Sequence, residues 1–313
     1  MATITESAAP ANTVNFTRFA WAVLGWNLLV ILWGAYVRAS GSGAGCGSHW
    51  PLCNGEVVPQ APEAHTVIEF AHRATSGIAL AATVVLAFWS AIRFPRGHRV
   101  RRTALLSLVF LVVEALLGAG LVLLEFVGEN ASPGRAMYLS LHLVNTQFLL
   151  ATLALTAWFS RDAAQHAVRY SKVTAGTLPL ALLISVTGAI AALGDTLYPA
   201  ASLAEGMRQD VSAAASFLVK LRVLHPVLAV FAAAYFISVA ILAIRAKSSP
   251  LQMRIGMMAL SLTVAQLFAG AINLALLAPI GMQIVHLLLA DMVWLSLLLL
   301  TVESTPGAVQ RPQ

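Results

Sequence analysis

Charge is scarce in this chain. Asp, Glu, Lys and Arg make up only 10% of 313 residues, whereas hydrophobic residues make up 59% and the mean hydropathy is +0.81. Soluble domains carry about 25% charged residues, so a water-soluble globular protein is excluded. Cysteine is scarcer still: Cys46 and Cys53 are the whole complement. That leaves no CxxC cluster, and the histidines form no HxxxH pair, so a bare zinc site of the usual kind has no ligand set. The first seventeen residues lack a basic start followed by a short apolar core, so a cleaved signal peptide is not expected.

What is abundant is long apolar sequence. A span needs about 20 largely apolar residues to cross roughly 30 Å of hydrocarbon. Eight such segments are read, at 18–37, 68–92, 103–125, 139–159, 172–193, 217–244, 254–277 and 280–302. Backbone groups in lipid must bond within their own segment, and nothing in the periodicity indicates a barrel, so an all-α polytopic membrane protein is expected.

Basic residues set the orientation. Arg18, Arg93, Arg96, Arg99, Arg101, Arg102, Arg161, Arg169, Lys172, Arg245, Lys247, Arg254 and Arg311, thirteen in all, fall on one side; Arg38, Arg73, Arg135, Arg208, Lys220 and Arg222, six, fall on the other. Both termini are therefore expected on the cytoplasmic side of the membrane. The net charge of +6 follows from this topology, and no basic stripe interleaved with aromatics indicates nucleic acid.

The chain also reads as two copies of a four-helix unit, 1–165 and 166–313, divided in the basic loop after the fourth span. Gly34-Ala35 resembles Gly188-Ala189, Leu117–Gly120 resembles Phe268–Ala271, His142-Leu143 resembles His286-Leu287, and His72 aligns with His225. Two units of even span number share one orientation, related by a pseudo-twofold axis along the membrane normal.

His72, His142, His225 and His286 each stand near the start of an even-numbered span, which gathers them in the outer layer, two per half. An intramembrane histidine is costly unless bonded, and marks a ligand, a proton path or a metal. One such residue is readily a structural hydrogen-bonder; four in repeated positions are not. Facing histidines from separate helices, with Gly77, Gly118, Gly120, Gly188 and Gly270 leaving room for a flat macrocycle, fit haem. His49, His65, His98 and His166 are read as solvated loop residues.

The halves differ beside their first histidine. Glu69 precedes His72 by one helical turn, whereas Arg222 holds that position before His225. A carboxylate in a partly desolvated site relays protons, and a cation suits a haem propionate. The competing assignments are a salt bridge from Glu69 to Arg73 or Arg38, and an outer anchor for Arg222. Cys46 and Cys53 share the first outer loop, where a disulfide is favoured, structural or redox-active.

The stretch Gly34-Ala35-Tyr36-Val37-Arg38-Ala39-Ser40-Gly41-Ser42-Gly43, then Cys46, Trp50-Pro51-Leu52-Cys53-Asn54-Gly55, Glu69-Phe70-Ala71-His72-Arg73 and the three later histidines resemble bacterial haem A synthase. The resemblance covers about residues 16–302. It implies oxidation of the C8 methyl group of haem O to a formyl group. It also implies His72 and His142 as ligands of substrate haem O with Arg38 and Arg73 beside it, Glu69 as the catalytic carboxylate, and His225 and His286 as ligands of a resident haem b with Arg222 at its edge. Pro226 stands where the first half has Arg73, a departure from the pattern. The partners implied are an electron donor and a haem O synthase; a homo-oligomer is compatible with the pattern. A dihaem b-type cytochrome, which gives Glu69 no role, and a proton-relay transporter are the competing classes.

Overall fold

A computed structural model describes residues 11–60, 62–161, 176–246 and 249–303. Arg169, Lys172, Lys247, Arg311, His166 and the 165/166 boundary lie outside the described residues.

The chain is an eight-span helical membrane protein. Its helices are α1 (Ala11–Ala39), α2 (Ala64–Arg93), α3 (Arg99–Leu123), α4 (Pro133–Phe159), α5 (Thr177–Leu197), α6 (Leu203–Val211), α7 (Phe217–Arg222), α8 (Leu224–Ala246), α9 (Pro250–Ala275) and α10 (Ile280–Glu303). A 3-10 turn, Ser42–Ala44, follows α1. The number of spans agrees with the sequence, while the ends shift because caps, not hydropathy, set them. Ser132 accepts from the Arg135 N–H ahead of Pro133, and Ser249 accepts from the Gln252 N–H ahead of Pro250, so α4 and α9 begin earlier than their apolar runs. The fifth span lies further along the chain than expected, at Thr177–Leu197.

The sixth span is broken rather than continuous. α7 ends at Arg222 and α8 starts at Leu224. Pro226 explains this: it has no N–H, and its ring clashes with the carbonyl four residues earlier, that of Arg222. His225 therefore sits at the opening of a new helix. The nine-residue α6 is a second departure, because its polar sequence gave no span signal.

Two spans form the centre. In α4 and α10, 56% of the most apolar window is buried, against 22–33% for the other six spans. Leu149, Leu150, Leu153 and Ala157 of α4 and Trp294, Leu297, Leu298 and Leu300 of α10 meet in a dry core away from the histidines. The outer spans turn Phe88, Ile92, Phe231 and Phe268 outward at 66–70% exposure, as lipid-facing side chains do.

Side-chain bonds close each end. Arg93 donates to Thr13 (2.7 Å) and Thr17 contacts Ser160 (2.8 Å), so the start of α1 meets the ends of α2 and α4. At the other end, Arg38 at the tip of α1 reaches the second half. It donates to the Ala192 carbonyl (3.0 Å), Thr196 Oγ1 (2.8 Å) and Gln283 Oε1 (2.9 Å).

Candidate functional site

His72, His142 and His286 lie about two turns inside their helices, His225 opens α8, and each ring lies against a glycine of a neighbouring span. A side chain on Gly34 would place its Cβ 2.9 Å from His72 Cε1; on Gly188, 3.0 Å from His225 Cε1; on Gly270, 3.0 Å from His286 Cε1; and on Gly118, 4.0 Å from His142 Cε1. In each case the absent side chain leaves the space the imidazole uses. Gly77 has open space at its Cβ position and Gly120 backs the Tyr138 ring, so neither backs a histidine. Gly34, which was not among the glycines expected to make room, backs His72.

Gly118 and Gly270 hold corresponding places, each backing the second histidine of its half, whereas the sequence pairing of Leu117–Gly120 with Phe268–Ala271 sets Gly118 beside Ala269.

In the second half the His225 and His286 rings stand 6.3 Å apart between centroids and nearly perpendicular, at 85°. An imidazole-ligated metal sits about 2 Å from its nitrogen, so one ion between the rings fits that separation. Thr187 Oγ1 holds His225 Nδ1 at 3.0 Å, which fixes the ring and leaves Nε2 for another partner. His286 Nδ1 is buried without a partner, and its Nε2 is 3.3 Å from the Gln266 amide nitrogen. In the first half, His72 Nδ1 and His142 Nδ1 are likewise buried without a hydrogen-bond partner. Buried polar atoms are normally bonded. Orphaned imidazole nitrogens on facing helices fit a group these rings are built to hold.

Glu69 is 3% exposed and does not point freely at the histidines. Its Oε1 accepts from Arg73 Nη2 (2.5 Å) and Nε (3.1 Å), and its Oε2 accepts from the Cys46 N–H (2.8 Å). Of the two salt bridges open to it, the structure forms the one to Arg73. Arg73 in turn donates to the carbonyls of His49 (2.8 Å) and Leu52 (2.7 Å). Its guanidinium is thus a clamp between helix α2 and the loop closed by the Cys46–Cys53 disulfide.

Arg222 is bound just as closely. It pairs with Asp210 (2.7 Å) and Asp195 (3.4 Å), which ties α7 to α6 and α5. Arg38 faces the second half, as described, rather than His72 or His142. One further expectation changes: His65 lies in the first turn of α2, with Nδ1 2.9 Å from Ser42 Oγ. His98 keeps its place in a loop, where it caps α3 by accepting from the Val100 N–H. His49 remains a loop residue.

The sequence reading missed two acidic residues. Glu114 on α3 puts Oε1 3.3 Å from His142 Nδ1, although the pair lacks hydrogen-bond alignment. Asp291 on α10 is fully buried and accepts from Gln147 Nε2 of α4 at 3.0 Å. A signal existed for both: a carboxylate within an apolar run long enough to span is costly and marks a site. Among the described residues, no three His, Cys, Asp or Glu side chains converge as a cluster for a bare metal ion.

The fold and site together define a polytopic helical membrane protein whose four intramembrane histidines each rest against a glycine of a neighbouring span, with His225 and His286 close to one another. Residues 17–298 match the cytochrome oxidase assembly protein family, COX15-CtaA, and the chain belongs to that family. It is 46% identical over 297 residues to a protein of Thermus thermophilus named protoheme IX farnesyltransferase, covering 94% of this chain and 49% of that one. The chain thus spans about half the length of the first of its curated relatives. It is also 34% identical over 140 residues to heme A synthase of Alkalihalophilus pseudofirmus, covering 44% of each chain. With heme A synthase of Bacillus cereus it shares 46% identity over 95 residues, 30% of each chain.

Proposed function

We propose that the chain is a haem A synthase that oxidises the C8 methyl group of haem O to a formyl group through successive hydroxylations. In this reading residues 1–165 form the substrate half, with His72 and His142 as haem O ligands. Residues 166–313 hold a resident haem b between His225 and His286. The observation that carries it is the repeated seating of imidazoles against glycines, with Glu69 one turn before His72 and Glu114 beside His142 in the first half. Haem supplies one-electron and oxygen chemistry that no side chain provides. The protein's part is to hold, orient and relay protons.

His225 and His286, in a pair closed from both sides, suit electron transfer. Glu69, one turn from His72, is the carboxylate that exchanges protons in the substrate half, with Oε1 and Oε2 fixed by Arg73 and the Cys46 N–H. Arg38 joins the halves, and Arg73, Arg222 and the disulfide hold the outer surface over the histidine layer, which is extracytoplasmic if the basic loops are inside.

The farnesyltransferase name belongs to a protein about twice as long as the matched region, and prenyl transfer is not assigned to this chain. A relative in which this region is joined to a second one favours a haem O synthase as the supplier of substrate. The test is to incubate the reduced protein with haem O and follow pigment mass. Haem A is expected, and unchanged haem O under a competent electron supply refutes the reading in favour of a dihaem cytochrome. Glu69→Gln is expected to retain haem while product falls by a factor of about 10²–10⁴, the usual contribution of a proton-transferring group.

A further inference from the structure

The two halves treat their second histidine differently, and the difference lies in one side chain. Glu114 stands one helical turn before Gly118, and Gln266 stands one turn before Gly270. Since these glycines back His142 and His286, Glu114 and Gln266 occupy equivalent places. Each side chain reaches its histidine: Glu114 Oε1 is 3.3 Å from His142 Nδ1, and Gln266 Nε2 is 3.3 Å from His286 Nε2.

The surroundings of Glu114 are built for a carboxylate. Asn145 donates to its Oε2 at 2.5 Å, and Thr146 hydrogen-bonds its Oε1. Asn145 also donates to the Phe110 carbonyl (2.8 Å), which ties α4 to α3 at this level. Asn145 and Thr146 follow His142 by three and four residues. The residues three and four beyond His286 are Leu289 and Ala290, neither of which can donate from its side chain. Only the first half has the donors that keep a buried acid in place.

We propose that Glu114 is a positioning residue for the substrate-half histidine. Its carboxylate, at ion-pair distance from His142 Nδ1, keeps the proton on that nitrogen, leaves Nε2 for the haem, and makes His142 a more electron-donating ligand than His286, whose Nδ1 has no carboxylate beside it. A histidine ligand commonly donates its other N–H to a carboxylate, which fixes the tautomer and raises ligand basicity. This inference rests on the haem reading above. It adds a residue whose removal changes the character of one haem and spares the other.

The experiment is a haem O titration and a redox titration of the full chain, followed by absorption, on the unsubstituted protein, Glu114→Gln and Gln266→Glu. Repeating each on a His286→Ala background assigns the signals to halves. Glu114→Gln is expected to weaken haem binding in the first half by about 10–100-fold, the usual effect of losing such a partner. It should also raise that haem's midpoint potential while the second-half haem keeps its own. Gln266→Glu should lower the second-half potential.

Unchanged affinity and potential in Glu114→Gln overturn the proposal. Should that variant fail to accumulate, an unmoved second-half potential in Gln266→Glu overturns it instead. The function itself fails by a separate sign: unsubstituted protein that takes up no haem at all.

Discussion

Removing Arg73 should cost more than removing the carboxylate it pairs with, and the structure says by how much. Glu69 is 3% exposed and has two partners, Arg73 and the Cys46 N–H. In Arg73→Gln its charge is left buried beside a single neutral donor, a loss of about 3–5 kcal/mol. In Glu69→Gln the guanidinium keeps the carbonyls of His49 and Leu52 at 2.8 and 2.7 Å. That change should therefore cost only about 1.5–3 kcal/mol, the worth of a hydrogen bond to a charged group. The double substitution should cost less than the sum, with a coupling of about 2 kcal/mol, where an exposed pair gives less than about 1. Equilibrium unfolding in mixed micelles with the disulfide intact measures the cycle. The loop supplies an independent readout: Arg73→Gln frees it, so reduction of Cys46–Cys53 should accelerate by about 10-fold for each 1.4 kcal/mol lost, whereas Glu69→Gln keeps the loop pinned. Additive energies, or equal reduction rates in the two variants, would show that Arg73 does not clamp the loop.

Two further outcomes follow from the geometry. Gly270→Ala places a methyl group 3.0 Å from His286 Cε1, so the ring must turn away. Haem content of the second half should fall while helicity by circular dichroism is retained, whereas Gly77→Ala, at a site with open space, should bind haem as the unsubstituted protein does. Replacing Cys46 and Cys53 together with Ser leaves Arg73 to hold the loop. Haem A formation is expected to drop only modestly, and its complete loss at normal haem content would show that the disulfide takes part in the chemistry.

The spans were legible because lipid imposes one rule on every residue that crosses it. Segments of about 20 apolar residues can be counted without any knowledge of packing. Their ends were less legible, since Ser132 and Ser249 extend helices into polar sequence through caps that hydropathy does not register. Pro226 was visible as a departure, but its consequence, a break beside His225, depends on a clash with a carbonyl one turn back. The histidine positions were readable as a pattern. What each faces was not, since Gly34 lies 38 residues before His72 and only folding brings them together. Arg38 shows the limit most clearly: its partners Ala192, Thr196 and Gln283 lie in the other half of the chain. Glu114 could have been found by asking why a carboxylate stands inside an apolar run.

Corresponding positions around the two sets of histidines can be set side by side, and a difference between them needs its own cause. Around the histidines the first half carries Glu69, Glu114, Asn145 and Thr146, where the second carries Arg222, Gln266, Leu289 and Ala290. Acceptors and the donors that hold them have collected on one side; a cation, an amide and apolar side chains occupy the other. Five residues beyond the second histidine of each half the pattern reverses, with Gln147 in the first half and Asp291 in the second. There the two meet, Gln147 Nε2 donating to Asp291 Oδ1 at 3.0 Å and Trp294 Nε1 donating to the Gln147 carbonyl at 2.9 Å. That pair lies between the central helices and serves their union, so it answers to packing across the halves. The surroundings of the histidines differ instead within each half, and Glu69 and Glu114 stand in the half that the proposed reading gives to the substrate.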